Sequence, residues 1–314
     1  PRRDIGVYLE AVKAHGMRVT HIFETHVHAD HVSGARELAR ATGAKIYIHE
    51  SAPVAYATEK VRHNDSFSIG NADIRVLHTP GHTPNSISLL VTDKSRSDEP
   101  EMILTGDLLF VGDTGRPDLP GHEILNEQIE NLYASLHEVL GGLPDFLEVY
   151  PAHGQGSLCG KGMSAKPSST LGYERIANSR MLLKDFAEFK TNVLTDLPMR
   201  PQSFSHIIAT NIKGAPLLDK ETADGRALSP AEVEKLQAEG ALVLDLRNSL
   251  SFSAAHVPGS INVDAAPPPA INWIGAAVPP GSPLILVLAH ESDFTARLTE
   301  LRRIGYDDVR GYLA

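Results

Sequence analysis

The run Thr25-His26-Val27-His28-Ala29-Asp30-His31 limits what this chain can fold into more than any other stretch. The apolar, β-branched segment Val19–Phe23 predicts a strand ahead of it, and about Ser33–Thr42 predicts a helix behind it. In an extended segment, period-two spacing puts His26 and His28 on one side, while Asp30 and His31 fall where the chain turns into the helix. Four potential metal ligands within six residues point to a metal site; a merely polar strand exit leaves that density unexplained. Three later segments repeat the theme. Thr79-Pro80-Gly81-His82 carries a histidine on a tight turn after a strand, Thr105-Gly106-Asp107 puts a carboxylate after an apolar strand, and Pro151-Ala152-His153 does the same with a histidine. Each alone reads as an ordinary hydrogen-bonding group. Together they place one ligand set at strand ends, where α/β folds build their sites.

Twelve of the 15 histidines lie within the first 153 residues, and there is a single cysteine. One cysteine excludes an internal disulfide framework and makes a cytoplasmic setting the expectation. A length of 314 residues suggests two domains. The net charge of −10 is shared equally by residues 1–213 and 214–314, so no basic face is hidden and nucleic acid is excluded as a partner. The longest apolar run, near 283–289, is too short to span a bilayer, and no membrane partner is expected.

Strands are predicted at Ala44–His49, Ile74–His78, Ser86–Val91, Met102–Leu104 and Phe146–Tyr150, with helices at Arg2–Gly16, Glu123–Leu140 and Tyr173–Val193. The Gly/Ser-rich stretch Ala152–Thr170 is long for a simple connection, as functional loops commonly are. Pro198–Phe204 reads as a Pro-rich turn. Residues 214–228 form the expected linker between domains 1–213 and 229–314. In the second domain, Ser229 caps a helix at Pro230–Gly240, strands follow at Ala241–Leu246 and Pro283–Leu288, and a helix runs over Thr295–Ile304. Strand–helix alternation in both halves implies an α/β class.

The H-x-H-x-D-H run with His82, Asp107 and His153 resembles the metallo-β-lactamase fold, an αββα sandwich, over residues 1–213. Members of that family begin with further strands, so the front of the first sheet is expected to be missing from this sequence. The resemblance leaves two chemistries open. All seven positions could hold two zinc ions bridged by Asp107, as in thioester hydrolases of the glyoxalase II type. The subset His26, His82 and Asp107 could instead hold one Fe(II), two histidines and a carboxylate leaving positions open for O₂.

Flanking residues favour the second. Asp107-Leu-Leu-Phe-Val-Gly-Asp-Thr-Gly-Arg116-Pro-Asp118 and His153-Gly-Gln-Gly-Ser-Leu-Cys159-Gly-Lys161 resemble the persulfide dioxygenases that are fused to sulfurtransferase domains. That resemblance implies an oxidoreductase of sulfur metabolism. It would convert a low-molecular-weight thiol persulfide such as glutathione persulfide, with O₂, into sulfite and thiol. His26, His82 and Asp107 would hold the iron, and His28, Asp30, His31 and His153 would support ligands and substrate. Arg116 is the expected oxyanion stabiliser, its plain alternative being a turn residue paired with Asp113 or Asp118. Cys159 is expected to be partly exposed, with Lys161 favouring its thiolate, and could hold a persulfide; an inert buried thiol is the alternative.

Val243-Leu-Asp245-Leu-Arg247 and Phe252…Ala255-His256-Val257-Pro258-Gly259-Ser260-Ile261-Asn262 resemble the first half of a rhodanese domain, and Ile285–Leu288 with Leu298–Leu313 its second half. A working rhodanese carries its cysteine after that second strand. Here the loop reads Ala289-His290-Glu291-Ser292-Asp293, without a cysteine and with two added carboxylates, so this domain is expected to be non-catalytic. A homo-oligomer or a further, active rhodanese domain is the partner the resemblance leaves open.

Overall fold

The structure is a computed structural model that describes residues 1–218, 225–266 and 270–314. The first part opens with helix α1 (Gly6–Ala14) and a parallel three-stranded sheet of β1 (His21–Phe23), β2 (Lys45–His49) and β3 (Glu59–Val61), with α2 (Ala35–Thr42) crossing from the first strand to the second. A six-stranded sheet follows in the order β4 (Ser66–Ile69), β5 (Ala72–His78), β6 (Ile87–Asp93), β7 (Met102–Gly106), β8 (Glu148–Pro151) and β9 (Ser169–Thr170). Its pairs are antiparallel except β7 with β8. That parallel pair requires a crossover, which α3 (Leu125–Ala134) and a π-type turn over Ser135–Val139 supply. Ile129, Leu132 and Leu136 of this crossover are fully buried against Ile103 and Val149 of the sheet.

The long helix expected at Tyr173–Val193 is two helices, α4 (Leu171–Ala177) and α5 (Phe186–Leu194). Asn178 breaks it: its backbone is extended, and its buried amide donates to the Asp113 carbonyl and to Glu174 one turn back. Asp185 then caps α5 by accepting from the Glu188 amide. The stretch read as a turn, Pro198–Phe204, leads into α6 (Ser203–Lys213).

Beyond residue 225 a parallel sheet runs in the order β11 (Ile261–Asn262), β10 (Leu242–Asp245), β12 (Leu284–Val287), β13 (Val309–Leu313). It is flanked by α7 (Pro230–Ala238), α8 (Ser249–Ala254), α9 (Ala270–Ala277) and α10 (Phe294–Arg303). Ser229 caps α7, as the sequence predicts, and Glu232 completes a capping box with it. Residues 219–224 of the expected linker lie outside the described residues, and its two ends are anchored. The Ala215 carbonyl accepts from Arg36, and Leu228 pairs its backbone with Tyr312.

The two parts share one core: Val32, Ile207 and Ala215 of the first are buried among Leu244, Leu286, Leu301 and Tyr306 of the second. Among the described residues no helix is long and apolar enough to cross a membrane.

Candidate metal centre

Four strand exits converge, those of β1, β5, β7 and β8. From them come His26, His82, Asp107 and His153, and the turn after β1 adds His28, Asp30 and His31. The ligand atoms of His26, His82 and Asp107 lie within 4.8 Å of one another, all three residues buried. The Asp107 Oδ2 atom is 3.4 Å from His82 Nε2, 3.8 Å from His26 Nε2 and 3.3 Å from His153 Nε2. Two further groupings of the same size adjoin it: His28 with Asp30 and His31, and Asp30 with His153 and Cys159.

Backbone turns hold these groups in place. Gly81 has φ +140°, and a Cβ there would collide with Leu132 of α3, so the His82 turn rests directly on that helix. Gly81→Ala is therefore expected to lower unfolding stability by about 2–4 kcal/mol in denaturant titration, through strain and overpacking. His82 Nδ1–H donates to the Arg116 carbonyl at 2.9 Å, leaving the Nε2 lone pair facing Asp107. His26 Nδ1 pairs with Thr25 Oγ1 at 2.9 Å, which likewise turns its Nε2 inward. Asn211 of α6 binds the turn after β1 three times. Its amide donates to the carbonyls of His28 and His31, and its oxygen accepts from the Ser33 amide, each at 2.9 Å. Val27 N–H donates to Asn85 on the His82 turn. Asn211 and Asn85 escaped the sequence reading because neither belongs to a ligand pattern; an asparagine in an apolar helix was the available signal for Asn211.

The residues fit a cation. His26 Nε2, His153 Nε2 and both oxygens of Asp107 are buried without any hydrogen-bond partner, an arrangement that is costly unless an ion satisfies it. Burial alone would raise the Asp107 carboxyl, but His153, His26 and His82 outweigh it and hold the group well below the usual carboxylate range. Asp30 is held low in the same way, chiefly by His31 and His153. Burial also lowers His26 to about 4, so its imidazole is neutral and ready to ligate.

At two residues the structure shows the plainer of the two readings. The Arg116 guanidinium does not stand free to meet an oxyanion. It forms a two-pronged pair with Asp118 at 2.7 Å for each contact, and its remaining arm donates to the Leu158 and Pro198 carbonyls. What Arg116 contributes to the centre is its own carbonyl, which orients His82. Cys159 is not partly exposed. It is 1 % exposed against Phe110 and Met163, and burial pushes its thiol up to about 12. Lys161 Nζ donates instead to the Thr195 carbonyl. The backbone explains both: Arg116 N–H donates to the Cys159 carbonyl, drawing the loop after β8 down onto the loop after β7.

This fold and centre define the class. The chain belongs to the metallo-beta-lactamase superfamily, whose profile matches residues 2–153, and carries a rhodanese-like domain matching residues 229–313. A metallo-beta-lactamase structure from Staphylococcus aureus superposes with a TM-score of 0.89 at 33 % identity, covering 99 % of this chain and 90 % of that one. A beta-lactamase hydrolase-like protein of Agrobacterium fabrum is 31 % identical over 69 % of this chain and 52 % of its own length. The mitochondrial persulfide dioxygenase ETHE1 of Bos taurus is 28 % identical over 65 % of this chain and 72 % of its own length. The match thus spans about half of the Agrobacterium relative.

Proposed function

We propose that the protein is a mononuclear Fe(II) dioxygenase that oxidises a low-molecular-weight thiol persulfide to sulfite. The observation that carries this reading is the compact, buried set of His26, His82 and Asp107, two imidazoles and one carboxylate. His28 stands apart from this triad, so the reading rests on the triad alone. The His28 Nε2 atom lies 3.6 Å from Glu24 Oε2, and His28 groups with Asp30 and His31 rather than completing a three-histidine site with His26 and His82. Similarity to the bovine persulfide dioxygenase supports the substrate class.

The reaction balances as RSSH + O₂ + H₂O giving RSH and H₂SO₃: the terminal sulfur gives up four electrons and O₂ accepts them. Iron held by the triad would supply the O₂ chemistry and open positions for substrate. The chain's own residues do the rest. Thr25 and the Arg116 carbonyl fix the two imidazoles so that only Nε2 faces inward. Asp30 accepts from His31 Nδ1 at 3.1 Å and turns its other oxygen toward His153 Nε2 at 3.4 Å. This places a carboxylate–imidazole pair beside the triad, where it can take a proton from the persulfide and return one to the leaving thiol. Leu119, Ala29 and Phe204 pack into one buried apolar cluster beside the turn that carries Asp30. The rhodanese-like domain has no thiol, so it carries no sulfur covalently.

The test is to supply glutathione persulfide and S-lactoylglutathione to the metal-loaded chain. One O₂ consumed and one sulfite formed per persulfide, with no thioester cleavage, is the expected outcome. Thioester cleavage without O₂ uptake overturns the proposal in favour of a dinuclear zinc hydrolase. A second test concerns Cys159. Its burial leads to the expectation that Cys159→Ser retains sulfite formation within about threefold; a loss of more than about 100-fold would restore a sulfur-carrying role for the thiol.

A further inference from the structure

We infer that the cysteine-free rhodanese-like domain is a positioning element of the metal centre, acting through the turn that carries His28, Asp30 and His31. Several backbone groups of that turn are tied by hydrogen bonds, and one of the partners comes from the second domain. Val32 N–H, immediately after His31, donates to the carbonyl of Arg303 at 2.7 Å. Arg303 is the last residue of α10; amides of Ile304, Gly305 and Tyr306 take the Leu301 and Arg302 carbonyls, and the metal-binding turn takes that of Arg303. The helix also directs the negative end of its dipole at the segment whose ligands must gather around a cation.

Side chains secure the same junction. Val32 is 0 % exposed and lies in the core that the two parts share, among Leu244, Leu301 and Tyr306 of the second. Gly305, at φ +85°, lets the chain pass so close that an added Cβ would stand 3.3 Å from Val32 Cγ2. Arg303 is held in turn by Asp4, Nε to Oδ1 at 2.9 Å and Nη2 to Oδ2 at 2.8 Å. Arg3, itself buried, reaches across to Asp307 at 2.6 Å and to the carbonyls of Arg302 and Pro216. Two arginine–carboxylate clamps therefore flank the Val32–Arg303 backbone bond that joins the second domain to the ligand turn. On the far side, Asn211 grips the His28 and His31 carbonyls, so the turn is held between α6 and α10. Loosening α10 releases one of these two jaws. This inference concerns metal holding and does not depend on which reaction the centre performs.

The experiment uses the full chain, stripped of metal and titrated with zinc against a competing chelator, with cobalt(II) as the spectroscopic probe. Asp4→Arg and Arg303→Asp, each alone, are expected to weaken zinc binding about tenfold, the scale set by losing a support of a metal ligand. The double exchange, which rebuilds the clamp with its charges swapped, is expected to restore affinity within about threefold. Gly305→Val is expected to shift the cobalt d–d bands, because it presses on Val32. Asp4→Asn and Arg303→Gln stand in if a reversal variant fails to fold. Unchanged zinc affinity and unchanged cobalt spectra in these variants, even with a lowered melting temperature, would overturn the inference and leave the interface a source of stability alone.

Discussion

Asp107→Ala is expected to abolish turnover and to weaken metal binding by at least about 100-fold, the top of the range for removing a mere supporting hydrogen bond. Asp107 lies within 3.8 Å of three different imidazole nitrogens, those of His26, His82 and His153. Both its oxygens are buried and unpartnered, so an ion has no other anionic ligand among the triad. Chelator competition with zinc measures the affinity directly, and circular dichroism of the metal-free form checks that the fold persists. Binding within about threefold of the parent would contradict the assignment of this carboxylate to the centre.

The second large effect is on stability. Asp113→Ala is expected to cost about 3–5 kcal/mol in denaturant unfolding, because it strands a buried arginine. Asp113 Oδ2 accepts the backbone amides of Lys161 and Gly162, each at 2.7 Å, and Oδ1 faces Arg180 Nε at 3.4 Å. Arg180 is 3 % exposed, and burial already disfavours its charge. One carboxylate thus locks the loop after β8, which carries His153 and Cys159, onto the loop after β7, which follows Asp107. Removing it should also broaden proton signals of the His153 loop in NMR spectra. A loss below about 1 kcal/mol would mean that the Arg180 charge finds another partner.

The ligand set was legible in the sequence because each member follows an apolar strand, and a strand end in an α/β fold fixes both position and direction. Strand ends pointed to all seven positions; the choice of His26, His82 and Asp107 from among them came from the flanking residues' resemblance to persulfide dioxygenases. What the sequence could not show was how the loops fold back. Arg116 pairs with Asp118 because the Cys159 loop closes over it and desolvates the guanidinium, a fact of packing between segments more than 40 residues apart. Cys159 looked accessible from its Gly, Ser and Lys neighbours, yet the backbone bond to Arg116 buries it. The single helix expected across Tyr173–Val193 failed at Asn178 for the same reason. Its apolar periodicity runs on, but the Asp113 carbonyl, outside the helix, takes the bond of its side-chain amide. Helix α6 was missed because Pro198 and Pro201 dominate the reading just ahead of it, although it supplies Asn211, the main clamp on the ligand turn.

The most direct measurement is the metal content of the anaerobically purified chain, taken together with O₂ uptake on glutathione persulfide. One iron per chain, lost in His82→Ala along with all O₂ uptake, is the expected result. Two zinc ions per chain, with no O₂ uptake by the parent and hydrolysis of a thioester instead, would contradict it.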